Sequence, residues 1–162
     1  MDKASIEHLL PKEIALKAEN IGVIKANMNP LSTLFLSILA GVFISLGAAF
    51  YTAIIANNGI NIPMDFPFGI IKFAGGIAFS LGLILVVLAG AELFTGNILL
   101  IMAVTSKKLS VPKLLENLSI VFAGNFIGAI VTAYFIFLAN THLNHDAAMG
   151  LSTILRNEGE IT

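Results

Sequence analysis

Val87-Leu88-Ala89-Gly90-Ala91-Glu92-Leu93-Phe94-Thr95-Gly96-Asn97 sets a carboxylate, a hydroxyl, an amide and two glycines inside an apolar run from Gly69 to Val104. That run is roughly 36 residues long, whereas about 20 helical residues cross a hydrocarbon core about 30 Å thick. One straight helix is the wrong reading. Gly90 and Gly96 weaken a helix and admit unusual backbone angles, while Glu92, Thr95 and Asn97 carry polar atoms that are costly against lipid. Irregular backbone at membrane depth persists only where protein buries it or a wet cavity adjoins it, and broken helices build the substrate sites of many transport proteins. The stretch therefore reads as a half-span, a loop and a second half-span. Spacing alone equally allows a complete span over Gly69–Ala89, an interfacial turn over Gly90–Asn97 and a shallow re-entrant piece over Ile98–Val104.

The composition belongs to the membrane class, with 57% hydrophobic and 12% charged residues in 162. A formal net charge of −1, with no basic patch interleaved with stacking aromatics, sets nucleic acid aside as a partner. The lipid bilayer is the expected partner. Cysteine is absent, which removes disulfides, thiolate metal sites and cysteine nucleophiles. The N-terminus lacks the pattern of a cleaved signal peptide, so the first span is expected to act as its own insertion signal.

Residues 1–30 mix Lys3, Lys12, Lys17 and Lys25 with Asp2, Glu7, Glu13 and Glu19, and Leu10, Ile14, Ala18, Ile21 and Ile24 recur at helical spacing. This pattern predicts an amphipathic helix on the membrane surface, with Pro11 in its first turn and a break at Asn29-Pro30. Leu31–Ile55 is an uncharged span whose small residues Gly41, Ser45, Ala48, Ala49 and Thr52 permit close helix approach. Asn57-Asn58-Gly59, Pro63, Asp65 and Pro67 mark a turn-rich connection, and Lys72 is placed to snorkel. The third crossing is Leu114–Ala139, with Glu116 and Asn117 near its entrance. In it, Gly124, Gly128 and Thr132 make a small face and Asn125 is expected to bond helix to helix. The basic residues gather before the first span and between the second and third, so three crossings put the N-terminus in the cytoplasm and the tail outside. His142, His145 and Asp146 in that tail are too unspecific for a metal site, and a solvated loop is expected for 140–162. No metal and no cofactor is expected.

Leu88-Ala89-Gly90-Ala91-Glu92-Leu93-Phe94-Thr95-Gly96 resembles the signature of the formate/nitrite transporter family, and Gly22-Val23-Ile24-Lys25-Ala26 and Gly124-Asn125-Phe126-Ile127-Gly128-Ala129 resemble two of its other segments. The resemblance favours the broken-span reading. It implies an all-α integral membrane fold, an aquaporin-like inverted-repeat channel of which this chain carries the first repeat only: three spans, the second broken by a re-entrant loop. It further implies pentamers in the cytoplasmic membrane, passing small monovalent anions or their conjugate acids, and an N-terminal helix that packs at the cytoplasmic mouth. At matching positions, Leu93, Phe94, Phe79 and Leu83 correspond to pore-constriction residues. Thr95 corresponds to the threonine facing the central chamber, with Gly96 and Asn97 continuing the substrate path. Glu92 corresponds to the family acid and is expected to anchor the loop by bonding backbone N–H groups, because a carboxylate lining the pore would repel the anion. The resemblance reaches only the family's first half. None of His8, His142 and His145 lies in a span to match the chamber histidine of the second broken helix, and Asn157-Glu158-Gly159-Glu160 stands where the family places a lysine. The chain is therefore expected to be a fragment.

A short helix starting near Asn97 would turn unpaired N–H groups and the positive end of its dipole toward the loop, a stopping place for a small anion. Catalysis is not expected, since one membrane Glu without an in-span His, Cys or second acid offers no acid–base or nucleophile set. The function expected is a channel for formate, nitrite or hydrosulfide. The alternative is a three-span scaffold or accessory subunit that acts by oligomerising.

Overall fold

The computed structural model describes residues 10–56 and 67–139, and within them the chain is entirely helical. Helix α1 runs Pro11–Ala26, α2 Pro30–Ala56, α3 Phe68–Leu88, α4 Phe94–Asn97, α5 Ile101–Thr105 and α6 Val111–Leu138, with a 3-10 turn over Ile98–Leu100 joining α4 to α5. Three of these, α2, α3 and α6, have 27, 21 and 28 residues and are long and apolar enough to cross a membrane. At 1.5 Å per residue the shortest is about 30 Å long, which matches a hydrocarbon core.

Helix α2 lies between the other two, and glycines bring the backbones together. A Cβ built on Gly41 would collide with the carbonyl of Asn125 in α6, and one on Gly128 with that of Ile38 in α2. On the other side Gly47 and Gly82 face each other, so a Cβ on Gly82 would come 2.6 Å from the Phe43 carbonyl. Gly124, Gly128 and Thr132 are all buried, as the spacing predicts. The small face of α2 is only partly that expected: Gly41 serves α6, whereas α3 is met by Gly47. Large apolar side chains such as Phe35, Phe73, Val87 and Leu88 stay exposed, the arrangement of helices whose solvent is lipid.

The break falls where the glycines put it. Helix α3 ends at Leu88 with Ala89 as its cap, and Gly90 takes φ +61°. The amide of Gly90 donates to Val87 and that of Ala91 to Val86, a Schellman closure in which glycine supplies the left-handed residue without steric cost. Ala91 then packs with Val86 and with Ala40 of α2. The arm before the break is a full 21-residue helix, the complete span that spacing alone also allowed and not the half-span, because the small-residue contact with α2 continues along it and its mid-helix hydroxyl, Ser80, bonds back to the Ile77 carbonyl. The arm after it, Phe94–Thr105, is short.

Helix α1 starts with Pro11 in its first turn, as expected, and Glu13 accepts the Leu10 amide. Asn29 ends the break before α2 by accepting the Leu31 amide on its side-chain oxygen. The face by which α1 docks on the short arm is separate from its apolar stripe. Gly22 and Ala26 are buried against Leu100 and Ala103 of the short arm, while Leu10, Ile14, Ile21 and Ile24 remain exposed. Small residues win this face because they let α1 lie flat on the arm. Glu19 reaches Lys108 at 2.8 Å, which brings the two basic segments to one side of the molecule, as the charge distribution requires.

Candidate functional site

The loop Ala89–Leu93 would be untenable in an apolar interior unless its peptide groups found partners. They do, on two helices. The amide of Glu92 donates to the Leu36 carbonyl of α2 at 3.2 Å. Asn125, midway along α6, donates from Nδ2 to the carbonyls of Ser37 and Glu92 at 2.8 and 2.9 Å, and its Oδ1 accepts the Phe94 amide at 2.9 Å. The helix-to-helix bond expected of Asn125 is present, and the loop is held by the same amide.

Beneath the loop lies a buried polar cluster. The Glu92 carboxylate, in a residue only 2% exposed, pairs with Lys25 Nζ at 3.0 Å through one oxygen and accepts Asn97 Nδ2 at 2.7 Å through the other. Asn97 also donates to Asn117 Oδ1 at 2.9 Å and accepts a longer bond, 3.4 Å, from Lys25. Four segments thus meet in one polar cluster: α1, the loop and the second arm at the carboxylate itself, and α6 through Asn97. A buried charge is tolerable only when paired and hydrogen-bonded in this way. Among the described residues no buried side-chain polar atom lacks a partner.

Two expectations change here. Glu92 does not bond backbone N–H groups; its carboxylate takes Lys25 and Asn97, because Asn125 and Leu36 already satisfy the loop's peptide groups. The second arm does not start near Asn97 with free amides either. It starts at Phe94, whose amide belongs to Asn125, and the amides of Gly96 and Asn97 turn back to Leu93. Of the arm's first amides, those of Phe94, Gly96 and Asn97 are thus taken up within the protein.

The other expected site residues divide into two groups. Thr95 and Gly96 are exposed beside the loop, whereas Asn97 is fully buried in the polar cluster and its side chain is engaged by Lys25, Glu92 and Asn117. Leu93 packs against the cluster of Ala40, Val86 and Ala91, and the Phe94 ring meets Phe122 of α6 edge-on at 5.7 Å. Phe79 and Leu83 lie one turn apart on α3, 38% and 48% exposed, while their neighbours Ala78 and Gly82 are buried. Phe79 and Leu83 therefore occupy an open face. Lys25 and Asn117 were not legible as site residues. The small pair Gly22 and Ala26 flanking Lys25 was the available signal, since a helix that docks by those two positions carries Lys25 to the interface. His142, His145 and Asp146 lie outside the described residues, as do 57–66; among the described residues no group of three His, Cys, Asp or Glu side chains gathers to hold a metal.

Three membrane-length helices, a break buried between two of them and a short returning arm define a multi-span membrane protein with a re-entrant loop. The family model described as formate/nitrite transporter matches residues 12–161, and the chain belongs to that family. It is 39% identical over 146 residues to the formate channel FocA of Escherichia coli strain K12, covering 90% of this chain and 50% of that protein. It is 38% identical over 125 residues to the formate channel BtFdhC of Bacillus thuringiensis, covering 76% of this chain and 46% of that one. Among solved structures, a pentameric formate channel with formate bound superposes with a TM-score of 0.67 at 33% identity, over 79% of this chain and 49% of the other. The chain spans about half the length of the curated relatives it matches.

Proposed function

We propose that this chain forms the half of an anion channel that supplies one re-entrant loop, and that the assembled protein passes formate, as anion or conjugate acid, across the cytoplasmic membrane. Nitrite and hydrosulfide are the competing substrates. The observation that carries the reading is the partition around the break: polar groups of the loop are consumed inside the protein, and Thr95 is left open beside it. Pairing with Lys25 removes the net charge of Glu92, so a small anion near Thr95 is not opposed by an isolated carboxylate. The apolar residues Phe79, Leu83, Leu93 and Phe94 form the constriction, whose low polarity disfavours a bare anion and suits one neutralised in transit. Thr95 faces the substrate, Gly96 continues its path, and no covalent or redox step is involved. The open face of α3 suits completion by further protein, and the assembly is a homo-oligomer, pentameric like the solved relative. The N-terminus lies in the cytoplasm, a placement supported by the clustering of basic residues on the α1 side.

Stopped-flow flux of formate, nitrite and hydrosulfide into liposomes tests this. One set carries this chain and a second carries the chain with whatever its reading frame adds after Thr162. Formate flux exceeding that of the other two anions in either set supports the reading. Absence of flux from both rejects it in favour of an oligomerising scaffold.

A further inference from the structure

We infer that Asn125 is a positioning residue for the constriction: one amide fixes both peptide planes beside Leu93 and thereby sets the aperture and its selectivity. This rests on the channel reading given above. The Glu92 carbonyl belongs to the peptide that precedes Leu93, and the Phe94 amide to the peptide that follows it. Asn125 holds the first through Nδ2 and the second through Oδ1, both at 2.9 Å. With those two groups tied to one rigid side-chain plane, Leu93 has little freedom to leave its φ −105°, ψ 131°. Only a carboxamide offers donors to two carbonyls and an acceptor to an N–H from a single planar group, so the partners themselves fix its orientation.

The anchor is itself immobile. Its other N–H donates to the Ser37 carbonyl, and its own backbone lies against Gly41, where no Cβ fits. A shift of α6 along α2 would move Asn125, and with it the backbone on which Leu93 and Phe94 sit. The Phe94 ring is steadied from the same helix, by Phe122. Helix α6 thus controls the constriction through one hydrogen-bonding residue and one ring, although Asn125 lines no path.

The test compares wild type with Asn125→Leu, Asn125→Gln and Asn125→Asp, each on the whole reading frame in liposomes. It reads amide hydrogen exchange over 91–97 by mass spectrometry and the ratio of formate to acetate flux. Leucine keeps the branching at Cγ and loses all three bonds. Exchange should quicken in 91–97 while the oligomer stays assembled, and the flux ratio should fall about tenfold, which is about 1.4 kcal/mol of discrimination. Glutamine, with the same amide on a longer stem, should restore part of both. If the leucine variant does not assemble, the aspartate variant decides. Its carboxylate faces two carbonyls, so acidification, which supplies one O–H donor, should raise the ratio in that variant relative to the wild-type ratio at the same pH. Unchanged exchange in an assembled leucine variant overturns the inference, as does quickened exchange with an unchanged ratio. An aspartate-variant ratio that does not rise relative to wild type on acidification overturns it too. A wild type without anion flux rejects the channel reading, and the exchange arm then still decides whether Asn125 holds the loop.

Discussion

Replacing Lys25 by methionine should destabilise the protein more than its exposed position on α1 suggests. Removing one partner of a buried ion pair costs about 3–5 kcal/mol, because the remaining charge loses its compensation in a medium that solvates it poorly. Lys25 is 32% exposed and water reaches its ammonium, whereas the Glu92 side chain is 3% exposed. The cost is therefore discounted to about 2–3 kcal/mol, the residual hydrogen bond from Asn97 making up part of the loss. The charge causes the damage, so the second substitution should repair the first. In Lys25→Met/Glu92→Gln the glutamine oxygen still accepts from Asn97 and no ion is stranded, which should bring stability within about 1 kcal/mol of wild type. Glu92→Gln alone leaves an ammonium that can reach water and should cost about 1 kcal/mol. The cycle then closes with a coupling energy of about 2 kcal/mol. Reversible unfolding in mixed micelles, followed by circular dichroism for all four proteins, measures it. A Lys25→Met variant within about 0.5 kcal/mol of wild type, or a double variant less stable than Lys25→Met, would refute the argument that pairing makes Glu92 tolerable.

Gly128→Ala drives a Cβ into the Ile38 carbonyl and should cost about 3 kcal/mol, while Gly76→Ala, with open space at its Cβ, should gain about 0.5–1 kcal/mol in the same unfolding assay. Equal effects would mean that the α2–α6 contact is looser than described. Lys108 holds the Glu19 carboxyl below its ordinary 4.5, chiefly by hydrogen bonding and also by its charge, with Ser106 adding a bond and desolvation opposing them. A lowered folded pKa gives stability that is complete above 4.5 and lost as the pH falls through the folded value. Spin labels on α1 and on the 106–110 turn should therefore keep their separation from neutral pH down to 4.5 and part only below it; separation between neutral pH and 4.5 would contradict this. Phe94→Ala removes the edge contact with Phe122, should cost about 2 kcal/mol, and should raise acetate flux relative to formate. An unchanged ratio would take Phe94 out of the constriction.

The three crossings were legible because hydropathy is a local property: the apolar runs of membrane length at Leu31–Ile55, which is uncharged, and Leu114–Ala139, charged only at Glu116 near its entrance, have no other stable setting. The break was legible for the same reason, since Gly90 and Glu92 stand together in an oily run. Pro30 and the spacing of Gly124, Gly128 and Thr132 likewise act through their own turn of helix. Helix periodicity at α1 marked Leu10, Ile14, Ile21 and Ile24, which stay exposed, and carried no sign that Gly22 and Ala26 make the contact with the short arm. Spacing also left the arm before the break undecided between a half-span and a complete one, because nothing in a hydrophobic run marks how far a helix continues once α2 supports it.

Composition and local pattern by themselves determined a membrane protein of three spans with an interruption near Glu92, because each depends on residues within a turn or two of one another. Tertiary structure alone decided how that interruption survives. Lys25 and Asn97 stand 72 positions apart, and Phe94 and Asn125 stand 31 apart, yet each pair meets at the loop. Those meetings depend on where α1 folds back and on the register at which Gly41 and Gly128 let α2 and α6 cross. No local periodicity encodes that register; it comes from the fit of whole helix surfaces, which exists only once the chain has packed.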